Sequence, residues 1–200
     1  MRPHASTFVT ALVVAFALSQ PAPARADHVT PPAVPSTIQV PGGNRAFLEG
    51  AAVGTQGYVC LPASSGFAWT LFGPQATLFD AHDAQIITHF LSPNPFENGS
   101  SRVTWQASDD TSKVWGMAIA SVSVEPGAIP WLLVQVVGAG DGPTGGNKLS
   151  ETTFIHRLST AGGVAPSTGC TRSTEVGSMA LVPYSAEYVF YRAVKRISSR

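Results

Sequence analysis

The chain has 200 residues, 12 basic and 12 acidic side chains, and is 44% hydrophobic but only 12% charged. A balance this neutral, with no basic stripe between aromatics, argues against a nucleic-acid partner. So few charges beside 19 Gly and 16 Pro suit strands and turns rather than long helices with solvated faces, and the length is that of one domain with a real core.

Met1, Arg2, Pro3 and His4 make a short basic start, Phe8 to Leu18 is an uncharged apolar run, and Ala24, Arg25 and Ala26 put small residues where a signal peptidase needs them. The reading is a signal peptide over residues 1–26. The apolar run is well short of the roughly 20 residues of a spanning helix, so stable membrane insertion after cleavage is not expected. Losing Arg2 and Arg25 leaves the exported protein two charges negative. Its destination is the periplasm, the cell envelope or the medium.

Residues 27–44 hold Pro31, Pro32, Pro35 and Pro41 and read as an extended lead-in to a single β domain over 45–200. From there, apolar bursts alternate with turn chemistry at Pro62 to Gly66, Gly73-Pro74, Asn94-Pro95, Asn98 to Ser100, Asp109-Asp110, Glu125 to Gly127 and Gly138 to Gly146. The fold class is all-β, a sandwich or barrel of roughly eight to ten short strands. Expected strands are Thr55 to Leu61, Phe67 to Phe72, Ala76 to Asp80, Gln85 to Phe90, Arg102 to Ala107, Lys113 to Val124, Trp131 to Val137, Thr152 to Leu158 and Glu187 to Val194. In Thr152 to Leu158, period-two alternation places Phe154, His156 and Leu158 on one face, read as core, and Ile155 and Arg157 on the other, with Arg157 in a surface pair. The apolar run from Trp131 to Val137 reads as a strand covered on both sides.

Cys60 and Cys170 are the only cysteines, and in an exported chain they most economically pair with each other. No Cys-x-x-Cys spacing suggests redox chemistry.

The glycine-rich run from Gly138 to Gly146 follows a strand, as a dinucleotide-binding turn would. Pro143 interrupts it and a strand-like stretch follows, so it reads as a hairpin loop, and no cofactor is expected. Asp80, His82, Asp83 and His89 match no closed zinc spacing; Asp80 to Asp83 reads as a solvated turn, and no metal site is assigned. His156 could be paired on paper with a carboxylate and a serine, but no nucleophile elbow is present and no catalytic residue is assigned. Trp69, Trp105, Trp115 and Trp131, with Tyr184, Tyr188, Phe190 and Tyr191, could line a pocket. Trp105 and Trp115 flank the Asp109-Asp110 turn and read as partly exposed.

Ordered segments resemble the family catalogued as domain of unknown function 3455. They are Gly54 to Gln56 with Tyr58 to Cys60, Phe67 to Trp69, Gly73 to Leu78, His89-Phe90, Asn98 to Ser100, Ile129 to Leu133, Thr153 to Gly163 with Ala165-Pro166 and Cys170, and Val182 to Tyr191. The resemblance spans about residues 45–192 and implies an exported all-β domain without an assigned activity. The chain departs from the pattern at Gly57, where a charged or bulky residue is usual, and at Asn98, where an Asp tends to stand.

The leading functional expectation is a binding module for a small molecule, sugar or surface polymer, held near His89, Trp105, Trp115 and His156. A hydrolase using His89 or His156 with a carboxylate is the alternative from another class, and a structural envelope or matrix protein is a third. The oligomeric state stays open.

Overall fold

The computed structural model describes residues 29–194, so the signal peptide expected over 1–26 lies outside the described residues. Eight strands follow one another: β1 (Asn44–Ala63), β2 (Gly66–Phe79), β3 (Gln85–Asn94), β4 (Ser100–Ala107), β5 (Lys113–Val122), β6 (Trp131–Gly140), β7 (Thr152–Gly162) and β8 (Met179–Ala193). Each pairs antiparallel with its sequence neighbour, and β8 returns to β1, closing an up-and-down barrel with no free edge.

The strands are longer than expected from the sequence. Gly73-Pro74 does not end a strand: β2 runs through it, with a bulge in the pairing opposite Gly57 and Tyr58. Two of the expected strands therefore merge into one. A bulge absorbs the missing proline donor and a glycine at φ +151° without breaking the ladder. Gly57 is small for a related reason, since the Phe72 ring lies where its side chain would be. The last strand begins at Met179 rather than Glu187, and Pro183 pairs with Thr55 along β1.

Alternation along the strands produces two cores. Inside the barrel pack Leu78, Ile87, Trp105, Val114, Val134, Ile155, Tyr188 and Phe190. Outside the wall, Leu133, Leu158, Val189 and Tyr191 are covered by Ile38, Val29, Val34 and Val40 of the lead-in, which makes a short 3-10 turn over Ser36–Ile38. This corrects the reading of Thr152 to Leu158. The His156 face is buried, but beneath the lead-in, whereas Ile155 faces the barrel interior. A strand with apolar cover on both sides defeats a rule that assigns one face to solvent. The same double cover holds for β6, with Leu133 outside and Val134 inside.

The strand order puts the turns after β2, β4 and β6 at one end of the barrel and those after β1, β3, β5 and β7 at the other. The first end is closed. Asp110 accepts hydrogen bonds from the Ser112 amide (2.9 Å), the Ser112 hydroxyl (2.6 Å) and the Lys148 amide (2.8 Å). Gly142 and Gly146 lie so close to it that an added Cβ would fall 1.8 Å from the Asp110 carbonyl oxygen and 2.3 Å from its Cβ, respectively. The glycine-rich loop therefore packs on a carboxylate of its own chain and leads into a strand, while Leu149, fully buried, plugs the interior. Burial opposes the charge on Asp110, but the Ser112 and Lys148 bonds hold its carboxyl below the usual range.

At the opposite end, Cys60 and Cys170 form a disulfide, with Cα atoms 5.4 Å apart, that ties β1 to the long β7–β8 connection. Trp69 Nε1 donates to the Thr168 carbonyl (2.9 Å) in the same connection, and Tyr58 Oη donates to the Gly163 carbonyl (2.7 Å).

Candidate functional site

At the disulfide end the barrel is not filled. A cavity of about 440 Å³ is lined chiefly by His89, Trp105, Val103, Val134, Arg157 and Tyr188, and opens past Leu71, Leu91 and Met117. Those last three are 54%, 39% and 38% exposed, so the entrance has an apolar rim. An eight-stranded barrel is just wide enough for its interior to be filled by side chains or to hold one small ligand. Gly116 packs so tightly on its neighbours that an added Cβ would stand 2.5 Å from Val134 Cγ1 and 2.8 Å from Trp105 Cζ3.

His89 and Trp105 are brought together here as cross-strand neighbours of β3 and β4, their rings stacked with centroids 4.3 Å apart. His89 Nδ1 lies 2.9 Å from the Thr104 carbonyl, which can only accept, so Nδ1 carries the proton and Nε2 holds the lone pair in the neutral ring. Desolvation pushes the His89 pKa down to about 3, the Thr104 carbonyl opposing this and the charge of Arg157 adding to it. At neutral pH the wall therefore presents an uncharged imidazole. Tyr188 lies edge-on to Trp105, and its hydroxyl stands 3.3 Å from that of Tyr184; burial raises the pKa of both phenols, which stay protonated.

Trp115 and His156 lie on the other side of the wall. Trp115 donates from Nε1 to Ser92 Oγ (2.9 Å) and packs against Phe96, outside the barrel. With 1% and 6% exposure, Trp105 and Trp115 are both buried, contrary to the expectation of partial exposure, because alternation sends one inward and the other under the Pro95–Glu97 turn. His156 donates from Nε2 to the Ile38 carbonyl (2.7 Å) and accepts at Nδ1 from the Tyr191 hydroxyl (3.0 Å), which fastens the lead-in to the wall. Its pKa is lowered by burial, against the Ile38 bond.

Three groups that the sequence reading left out of the site belong to the cavity. Arg157 is not in a surface pair: among the described residues it takes part in no ion pair, and its Nε and Nη2 donate to the Pro130 carbonyl (3.2 and 2.8 Å), while its charge and a side-chain hydrogen bond act on Tyr188. Gln56 is only 2% exposed, and its Nε2 has no hydrogen-bond partner; nor does Nε1 of Trp105. An unsatisfied buried donor costs about 1–3 kcal/mol, so two beside one cavity are a sizeable charge against stability. The signal that could have found Arg157 is the face it shares with Ile155: a lone cation on an apolar strand face inside a closed barrel has to point into whatever space is left there.

Asp80 makes a turn, accepting from the His82 amide (2.8 Å) and the Ala84 amide (3.0 Å), with Asp83 in the left-handed region at φ 60°. It lies at the closed end, away from the cavity. Asn98 likewise takes φ 54° at the end of its turn, a conformation Asn tolerates, while the neighbouring Glu97 pairs with Arg102 at 2.7 Å. Among the described residues, no group of three His, Cys, Asp or Glu side chains stands close enough to hold a metal ion.

Fold and cavity together define a small closed antiparallel barrel with an aromatic interior site at one end. The chain belongs to the family described as Protein of unknown function (DUF3455), whose model matches residues 41–192, so the match takes in the whole barrel but for Ala193, the last residue of β8. No curated protein and no solved structure matches it.

Proposed function

We propose that this is an exported binding protein that holds one small molecule in the disulfide end of its barrel. The observation that carries this reading is the cavity itself: about 440 Å³, apolar-walled, with a few buried polar groups converging on it, as small-molecule sites commonly are. Export is supported by the leader-like sequence at residues 1–26 and by the disulfide, which persists in oxidising compartments. None of the described helices is long and apolar enough to cross a membrane.

The hydrolase reading finds less support, because the residues lining the cavity include no Asp or Glu to pair with His89, and His156 is spent on the lead-in. A purely structural role would leave the cavity without a use.

The test is titration with the neutral apolar fluorophore phenylnaphthylamine, read as enhanced emission on transfer from water. Saturation at one equivalent is expected. The Ala118→Phe variant, which places a ring in the cavity mouth, should lose the signal while keeping its thermal unfolding. Absence of enhancement, or enhancement unaffected by Ala118→Phe, would count against the reading.

A further inference from the structure

We propose that the cavity selects an amphipathic carboxylic acid: its carboxylate is held by Arg157 with the donors of Gln56 and Trp105, and its apolar body lies along Trp105, Val103 and Val134. This deepens the binding reading above and rests on it.

A guanidinium has five N–H groups; the Pro130 carbonyl takes up Nε and one hydrogen of Nη2, and the Tyr188 hydroxyl, also in the cavity lining, engages another, which leaves two. The remaining edge is free of any carboxylate among the described residues. Gln56 and Trp105 both line the same cavity, and Gln56 Nε2 and Trp105 Nε1, each buried to under 1 Å² of exposure, have no hydrogen-bond partner. Three side chains thus offer donors and one of them a positive charge, with no acidic group in the lining. The complement is an acceptor-only anion. A carboxylate is planar, presents two oxygens and can be forked by Arg. One positive charge balances one negative charge, because the other cation of the lining, Arg102, is already committed to Glu97 at 2.7 Å. A dianionic phosphate would keep one charge unmatched in a largely apolar space, and a sugar would leave the guanidinium without a counter-charge and its own hydroxyls against Val and Trp. Leu71, Leu91 and Met117 at the entrance suit a hydrocarbon tail that reaches out of the barrel.

The experiment is isothermal titration of the oxidised full chain at neutral pH with dodecanoate, dodecanol and dodecyl phosphate, all below their micellar concentrations. Dodecanoate should bind about tenfold or more tightly than dodecanol, as expected for a charge-assisted hydrogen bond. Arg157→Gln should remove that preference and leave dodecanol binding unchanged, and Gln56→Leu should weaken dodecanoate by a few-fold relative to dodecanol. Equal binding of acid and alcohol, equal loss of both in Arg157→Gln, or tighter binding of the phosphate would overturn the carboxylate assignment while leaving the cavity reading standing. Binding of none of the three would remove the cavity reading and this inference with it. Should Arg157→Gln unfold, the acid-to-alcohol ratio of the unmodified chain and of Gln56→Leu decides the matter.

Discussion

His89 gives the structure a measurable dependence on pH. Its pKa is about 3 when folded, against an ordinary value of 6.5 for the unfolded chain. Between those two values the unfolded state binds a proton that the folded state refuses, so the stability contributed by the neutral ring is present above 6.5 and is lost as pH falls through 6.5 towards 3. Taking pH from about 7 to about 5.5 should cost about 1.3 kcal/mol from His89 alone by this linkage. His156, whose pKa is also depressed by burial, adds a loss of the same sign. The lowered carboxylates Asp80, Glu97, Asp110 and Glu175 contribute mainly further down, near their unfolded values, so this window isolates the histidines. Urea denaturation at the two pH values provides the assay, with His89→Asn as the comparison, since the Asn amide can still donate to the Thr104 carbonyl but takes up no proton. The variant should lose about 1.3 kcal/mol less than the unmodified chain on acidification. An identical loss in both would refute the placement of a neutral His89 in the barrel wall.

Replacing Cys60 and Cys170 together by Ala should destabilise the oxidised protein by about 4–5 kcal/mol if the crosslink acts on unfolded-chain entropy across its separation of 110 residues, measured by urea unfolding. Gly116→Ala, whose Cβ would collide with Val134 and Trp105, should cost about 1–3 kcal/mol and shift the near-ultraviolet circular dichroism of the Trp105 environment. Ile38→Ala empties a fully buried site under the lead-in and should cost about 2–4 kcal/mol, with faster proteolytic cleavage between residues 29 and 43 as the local readout.

Much of the fold could be read from the sequence because turn chemistry and apolar bursts alternate so regularly; the all-β class, the disulfide and the family all follow from local patterns. What the sequence concealed was which side of each strand meets which core. In β7 His156 and Leu158 are buried and Phe154 half-buried on one apolar face, and only the position of Ile38 reveals that this face lies outside the barrel. That contact spans 118 residues, so no window along the chain contains it. The same ambiguity sent Arg157 to the surface in the sequence reading and grouped Trp115 and His156 with His89 and Trp105, although the wall separates the pairs. Gly73-Pro74 misled for a different reason: its residues favour a turn locally, but pairing on both sides of β2 holds the chain extended through a bulge.

The occupancy of the cavity is tested most directly by the indole N–H resonances in a proton–nitrogen correlation spectrum as dodecanoate is added. Trp69 and Trp115 have their indole donors committed to Thr168 and Ser92; the Trp105 and Trp131 donors are both buried without a partner, but Trp131 packs outside the barrel beneath the lead-in, whereas the Trp105 ring lines the cavity. The account predicts that the Trp105 resonance moves saturably while the other three stay in place. A stationary Trp105 resonance, or equal movement of all four, would contradict it.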